Sequence, residues 1–293
     1  MSTYVAPQPT LSAAWAETLE AVAAAGGRLV NVLTTVTSPG EEDLGIRALV
    51  DGLLIPGARH GTTIQSVETV ANTIFPTRLY RDVGFPWATT LDSVSCQELD
   101  QAATDLYDAY SAMLPILVTA DGNHNGTYFG RMVSWPGKAA GGRNQLADRV
   151  RYLRIAHELG QGANNLADIA VGGEGDPEAI NDVDDLGLQT YSALDRRQRG
   201  FPCLVHVDLT LLDGKLSLLA VYRHQYLVTK AYGNLVGLCR LLRFLSQQTG
   251  YEVGELAVQA TLADDERRTF GGRTGIADLV SRTQALREIA RTQ

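Results

Sequence analysis

The stretch RRQRGFPCLVHVDLTLLDGKLSLLAVYRHQYLVTKAYGN (residues 196–234) decides the fold of this chain. Apolar residues alternate on both sides of Asp213-Gly214, a dipeptide that favours a tight turn, so the stretch predicts a β-hairpin. Asn234 then opens an apolar helix that Gly250 closes. Its leucines recur at helical spacing, at positions 235, 238, 241, 242 and 245.

Three side chains in this stretch carry chemistry. Cys203 follows a proline at the start of the first hairpin strand, and a thiolate there can attack an electron-poor carbon. Arg223 ends the second strand with a guanidinium suited to phosphate or to a thiolate. The Asn234 carboxamide both donates and accepts hydrogen bonds, so it can read one edge of a heterocycle. The set is plausible for covalent catalysis on a nucleobase.

The same residues resemble the catalytic core of the folate-dependent thymidylate synthases and their relatives, the pyrimidine-nucleotide hydroxymethylases. Without a gap, Cys203 falls on the family nucleophile, Arg223 on the phosphate-binding arginine and Asn234 on the asparagine that reads a uracil ring. The segment Asp213-Gly214-Lys215-Leu216 falls on the family turn, and the gap-free match runs on to the strand near residues 255–262.

The resemblance implies a thymidylate-synthase-like transferase. In that reaction the cysteine thiolate adds to ring carbon six of a pyrimidine nucleotide, and carbon five then takes up a methyl- or hydroxymethyl-type unit. It also implies a homodimer and, as cofactor, 5,10-methylenetetrahydrofolate. The implied fold is a mixed α/β (α+β) single domain over residues 1–293, with a sheet of about six strands, helices on one face and a buried central helix.

Further site residues follow from the resemblance. Gly84-Phe85-Pro86 and Thr89-Thr90 match a family pattern that precedes a helical glutamate, so Glu98 is expected to polarise the pyrimidine through water. Residues 122–135 resemble a family strand, which makes Tyr128 a catalytic candidate; the alternative is an ordinary strand aromatic. Arg199, with Arg196 and Arg197, precedes the cysteine, where positive charge lowers a thiol pKa or binds an anion; the alternative is a charged surface loop.

The chain also departs from the family. His224 replaces a serine, Tyr226 replaces the aspartate that holds the folate pterin, and Asp264-Asp265-Glu266 stands where a His-x-Tyr grips the ribose. The arginine pair that reaches into the neighbouring subunit is missing. These changes argue against folate and point to an altered pocket lined by His224 and Tyr226. Two alternatives stay open: a folate-independent thiol enzyme acting on another heterocycle in secondary metabolism, and a non-catalytic nucleotide-binding homologue.

Composition narrows the class of protein. The 293 residues carry a formal net charge of −8, which argues against a general nucleic-acid surface. Three separated cysteines suggest neither a disulfide framework nor a zinc site, and the aspartates at 182, 184 and 185 do not follow a calcium-loop pattern, so no metal is expected. The N-terminus has no signal-peptide pattern, and no long apolar run predicts a membrane span. We expect a cytoplasmic protein without a membrane partner.

Periodicity predicts the remaining elements. Helices are predicted over residues 10–25, from 62 to just before Pro76, over 142–160 and from about residue 276, and strands over 28–37, 186–195 and 251–262. Residues 45–54 fit either a strand or a short helix, and the acidic, glycine-rich residues 172–185 predict a loop.

Overall fold

The structure is a computed structural model that describes residues 3–54, 64–84, 91–120, 123, 126–137, 139–158, 188–189 and 202–292. The chain forms two compact units, each assembled from separate segments. Unit 1 comprises Met1–Phe75, Val221–Arg240 and Glu255–Gln293. Unit 2 comprises Pro76–Ala220 and Leu241–Gly254. The prediction of one domain is not tested by this division.

The described residues form a mixed α/β fold, as the sequence predicts. The helices are α1 (Leu11–Ala24), α2 (Leu44–Leu53), α3 (Val67–Ile74), α4 (Ser93–Leu117), α5 (Tyr128–Val133), α6 (Gln145–Glu158), α7 (Tyr232–Thr249) and α8 (Gly272–Thr292). The strands are β1 (Thr3–Tyr4), β2 (Arg28–Val36), β3 (Leu188–Gln189), β4 (Leu204–Leu212), β5 (Lys215–Tyr222), β6 (Gln225–Tyr226) and β7 (Glu252–Asp264). A short 3₁₀ turn spans Thr77–Leu79, and a π-helical turn over Leu227–Ala231 leads into α7.

The sheet of the described residues has the strand order β1-β2-β7-β5-β4-β3, with β6 also paired to β7. Pairing is mixed: β1 with β2 and β6 with β7 are parallel, whereas β2 with β7 and β3 with β4 are antiparallel. In unit 1 the long β2–β7 ladder runs from Arg28 opposite Asp264 to Val36 opposite Leu256. In unit 2, α5 and α6 pack against β3.

The hairpin forms where the sequence predicts it. Strands β4 and β5 are joined by Asp213 and Gly214, whose φ angles are 50° and 75°. A two-residue turn with both φ angles positive suits the right-handed twist of the strands it joins. Strand β4 begins at Leu204, one residue after Cys203, and β5 ends at Tyr222, one residue before Arg223, so both strand ends lie within one residue of their predicted positions.

The apolar helix predicted after Asn234 is α7, and its leucine stripe is buried. Leu238, Leu241, Leu242 and Leu245 are all 0% exposed, so this helix forms part of the core. Helix α7 begins two residues before Asn234, at Tyr232, and ends at Thr249. Gly250 follows it with a φ of 77°, the left-handed value that favours glycine.

Polar caps begin several helices. The side chains of Thr10, Asp43, Ser66 and Asp92 accept hydrogen bonds from backbone N–H groups in the first turns of α1, α2, α3 and α4. Residues 45–54, for which the sequence fits either a strand or a helix, are helical because Asp43 caps them. Helix α8 begins four residues earlier than predicted.

One predicted element is wrong. Residues 122–135 are predicted as a strand, but Tyr128–Val133 form the short helix α5. The Thr127 hydroxyl accepts a hydrogen bond from the Gly130 N–H and begins the helix. Phe129, Met132 and Val133 are buried, and their spacing is helical.

The loop predicted over residues 172–185 and most of the strand predicted over residues 186–195 lie outside the described residues. Among the helices described, none combines the length and the apolar content that a membrane span requires.

Candidate functional site

Cys203 lies in unit 2, immediately before β4, and is half-buried. Its backbone N–H donates a hydrogen bond to the phenol oxygen of Tyr128 over 3.1 Å, and the Leu204 N–H donates to the same oxygen over 3.3 Å. The structure thus brings together two residues that the sequence marks as catalytic. Tyr128 reaches Cys203 from the first turn of α5, not from a strand.

The two accepted hydrogen bonds occupy the lone pairs of the Tyr128 oxygen and leave its O–H proton for a third group. Burial, with a smaller contribution from the nearby Cys203, raises the pKa of Tyr128 to about 12. A phenol in this state holds its proton at neutral pH. Tyr128 can therefore donate a hydrogen bond beside the thiol.

Arg223 and Asn234 lie in unit 1. Arg223 follows the last residue of β5 and is exposed. Asn234 occupies the first turn of α7 and is only 5% exposed. Arg223 lies one residue beyond the strand that the sequence predicts it to end, and Asn234 lies two residues inside the helix that the sequence predicts it to open.

His224 and Tyr226 lie together in unit 1, next to the end of β7. Their rings are tilted by 34° with centroids 4.2 Å apart. The His224 Nε2 atom is 3.9 Å from Asp264 Oδ2, and among the described residues it has no hydrogen-bond partner. Burial lowers the pKa of His224; Asp264 opposes this shift, and Arg28 adds to it.

The turn before α7 is fixed by a carboxylate from the end of β7. Glu266 Oε2 accepts hydrogen bonds from the N–H groups of Val228 (2.9 Å) and Thr229 (2.7 Å), while Oε1 accepts one from the Thr229 hydroxyl (2.7 Å). Trp15 donates from its indole N–H to the carbonyl of Leu227 over 2.7 Å. These bonds hold the chain between β6 and Asn234.

A charged cluster that the sequence does not predict surrounds the first half of α7. Arg240 on α7 binds both carboxylate oxygens of Glu68 on α3, at 2.7 and 2.9 Å. Arg47 pairs with Glu42 and Asp51 and lies 3.6 Å from Glu68. Arg47 and Asp51 are an i,i+4 pair on α2 that residue spacing could have indicated. The contacts with Glu68 on α3 and Arg240 on α7 join separate elements, so spacing along the chain carries no signal for them.

Other predicted site residues are placed apart from these groups or are not described. Glu98 lies on α4 with an exposed side chain, and its role in polarising a pyrimidine stays a prediction. Arg199, the neighbouring arginines and the predicted pattern at Phe85-Pro86 and Thr89-Thr90 lie outside the described residues. In the part of the chain that is described, no three His, Cys, Asp or Glu side chains are grouped so that they could hold a metal ion.

No family model matches the sequence, and no curated protein matches it.

Proposed function

We propose that this protein is a transferase that modifies carbon five of a pyrimidine nucleotide, by methyl- or hydroxymethyl-type transfer, through a covalent adduct on Cys203. The observation that carries the proposal is the setting of Cys203. It is a half-buried thiol residue at the start of a strand, and its backbone is bound by a phenol that retains its proton.

The order of the elements that follow supports the same function. The elements follow one another along the chain in the same order as in the family that the sequence resembles. They are strand β4, the Asp213-Gly214 turn, strand β5, Arg223 and the buried helix α7. In the proposal Arg223 binds the nucleotide phosphate, because a guanidinium makes paired hydrogen bonds to phosphate oxygens. Asn234 reads one edge of the ring with its amide.

The proposed reaction begins when the Cys203 thiolate attacks ring carbon six and forms a sulfur–carbon bond. The electron pair of the ring double bond moves to carbon five and its neighbouring carbonyl as an enolate. Carbon five then attacks the carbon of a one-carbon electrophile, and the electron pair of the bond that breaks in the donor stays with the donor's leaving group or, for an aldehyde-type donor, with its oxygen. Loss of the proton from carbon five and departure of the sulfur restore the double bond and the free thiolate.

The residues described do not fit the reduced folate in the manner of the family. Tyr226 stands where the family has a carboxylate for the pterin, and its neutral phenol ring packs against His224. A phenol cannot replace the two acceptor oxygens of a carboxylate. We therefore derive no step through a folate, and the one-carbon donor is left undefined.

A mass spectrum tests the proposed function. After incubation with 5-fluoro-2′-deoxyuridine monophosphate, we expect an adduct on the peptide that contains Cys203 and none in Cys203→Ser. Cys96 is also only partly buried, so Cys96→Ser serves as the matched control and should keep the adduct. Absence of the adduct from the wild-type protein, or its survival in Cys203→Ser, would reject the proposal.

The stack of His224 on Tyr226 favours a second candidate: a thiol enzyme that acts on another heterocycle without folate. Thermal melting separates this candidate from the first. A nucleotide and a reduced folate together should raise the melting temperature more than the nucleotide alone only if folate binds. A shift with nucleotide that is the same in Cys203→Ser, without any adduct, indicates a non-catalytic nucleotide-binding protein.

A further inference from the structure

A cleft of about 320 Å³ opens in unit 1 where the start of β2 lies beside the end of β7. It is lined by residues of three segments: 26–28, 226 and 264–269. Neither Cys203 nor Asn234 lines it. The volume suits one ring with a charged substituent, because ligand pockets range upward from about 300 Å³.

The acidic side chains of the cleft are already bound by protein donors. Asp264 accepts from Arg28 Nε over 2.7 Å and from the Glu266 N–H over 2.8 Å. Asp265 is fully buried and accepts from the Arg267 guanidinium over 2.7 Å. Glu266 accepts three hydrogen bonds from the turn before α7. The three carboxylates are therefore occupied.

The guanidinium groups, by contrast, retain unused donors. Among the described residues Arg28 hydrogen-bonds only through Nε, and its side chain is 59% exposed. Arg267 uses Nε and Nη2 but makes no hydrogen bond from Nη1 within the described part of the chain. Arg268 is exposed and lines the cleft. Since each guanidinium carries five N–H donors, the cleft presents cationic donors to whatever enters it.

One wall of the cleft is a flat aromatic surface. Tyr226 lines the cleft and is 39% exposed overall, and its ring lies against His224 at a centroid distance of 4.2 Å. Gly27 makes the close approach of Arg267 feasible, because a Cβ at this glycine, whose φ is 100°, would lie 2.2 Å from Arg267 Nε. The cleft thus combines a stacking surface with arginine donors.

We propose that this cleft binds a planar ring that carries an anionic group, a phosphate or a carboxylate. The ring packs on Tyr226, and the anion takes hydrogen bonds from Arg28 and Arg268. Charge-assisted hydrogen bonds from arginine to phosphate or carboxylate are among the strongest polar contacts in proteins. This inference does not use Cys203, Arg223 or Asn234, but it shares Tyr226 with the altered pocket that the sequence predicts.

Calorimetric titration with two matched pairs of probes tests the inference. Uridine monophosphate and uridine differ by a phosphate; orotate and uracil differ by a carboxylate. We expect each anionic probe to bind at least about tenfold more tightly than its neutral partner if that anion is the one the cleft selects. Tight binding of only one pair identifies the anion, and added salt should weaken it.

Substitutions of the lining residues test whether the probes bind in the cleft. Arg268→Ala should lower the affinity for the anionic probe about tenfold. It should leave the fold unchanged, since Arg268 is exposed. Arg28→Gln should also lower the affinity for the anionic probe. Tyr226→Leu should lower the affinity for both the anionic and the neutral probe of a pair. Arg282 is an exposed arginine on α8 of the same unit, so Arg282→Ala is the control and should bind normally.

Cys203→Ser separates this inference from the proposed function, because it should remove the covalent adduct and leave probe affinity in the cleft unchanged. Three results would overturn the inference: no binding by any probe, equal affinity for anionic and neutral partners, or an affinity within twofold of wild type in Arg268→Ala and Arg28→Gln.

Discussion

The phenol of Tyr128 accepts hydrogen bonds from two consecutive backbone N–H groups, those of Cys203 and Leu204. Tyr128→Phe removes the acceptor and with it both of these hydrogen bonds. We expect the free energy of unfolding to fall by about 1–3 kcal/mol, because each lost hydrogen bond costs about 0.5–1.5 kcal/mol. Denaturant unfolding monitored by circular dichroism measures this change.

The control for Tyr128→Phe is Tyr4→Phe, because the Tyr4 ring is 63% exposed. That substitution should change stability by less than about 0.5 kcal/mol. Equal effects of the two substitutions would show that the Tyr128 phenol does not support the chain at Cys203.

Single residues also show why the site is only partly readable from sequence. Cys203, Arg223 and Asn234 can be located because each adjoins an element with a strong pattern. For Arg28 the sequence predicts only the first residue of a strand, and for Arg267 and Arg268 it predicts only a loop. Their proximity depends on the pairing of β2 with β7, which joins Arg28 to Asp264 across 236 residues of chain. A signal for a charged cleft lies in the run of three acidic residues and two arginines (264–268) that follows the last predicted strand.

At the scale of elements, α7 approaches α3 through two glycines. A Cβ at Gly233 would lie 2.6 Å from Val70 Cβ, and one at Gly237 would lie 2.7 Å from the carbonyl oxygen of Ala71. Replacement of Gly237 by alanine should destabilise the protein by about 1–3 kcal/mol through overpacking, although alanine favours helix formation. Thermal unfolding of Gly237→Ala measures the loss.

The matched substitution is Gly52→Ala in α2, where nothing lies within 4 Å of the new Cβ. It should stabilise the protein by about 0.4–1 kcal/mol, because alanine loses less backbone entropy in a helix. Stabilisation by both substitutions would contradict the close packing of α7 on α3.

Elements differ in how clearly their sequences specify them. The Asp213-Gly214 turn and the leucines of α7 each permit one interpretation, and both predictions are confirmed. The strand predicted over residues 122–135 follows from the family resemblance, and that prediction is wrong because Thr127 caps a helix there. A six-residue helix offers less than two turns of periodicity, so a local cap and tertiary packing decide the outcome.

At the scale of the whole molecule, burial of phenols couples stability to alkaline pH. Burial is the largest cause that raises the pKa of Tyr80, Tyr110 and Tyr128 to about 12 from the ordinary value of 10.0. A pKa raised on folding stabilises the protein fully below the unfolded value. That contribution is lost as the pH rises from 10 towards 12.

Ultraviolet absorbance of phenolate tests this coupling. In the native protein these three phenols should ionise at a higher pH than in denaturant. The melting temperature should fall over the same pH interval. Identical titration curves for native and denatured protein would contradict the burial of the three rings. Tyr80→Phe, which removes one such phenol, should lessen the fall.

The Glu266 carboxylate clamps the turn before α7 by accepting hydrogen bonds from Val228 and Thr229, and this affects the order in which the region folds during translation. The carboxylate and the first of these amides are 38 residues apart, and the carboxylate is translated later. On the ribosome the segment before α7 therefore emerges without its clamp, and β6 emerges before the β7 partner that it pairs with. The environment of Asn234 therefore acquires its final form only after residue 266 has left the exit tunnel.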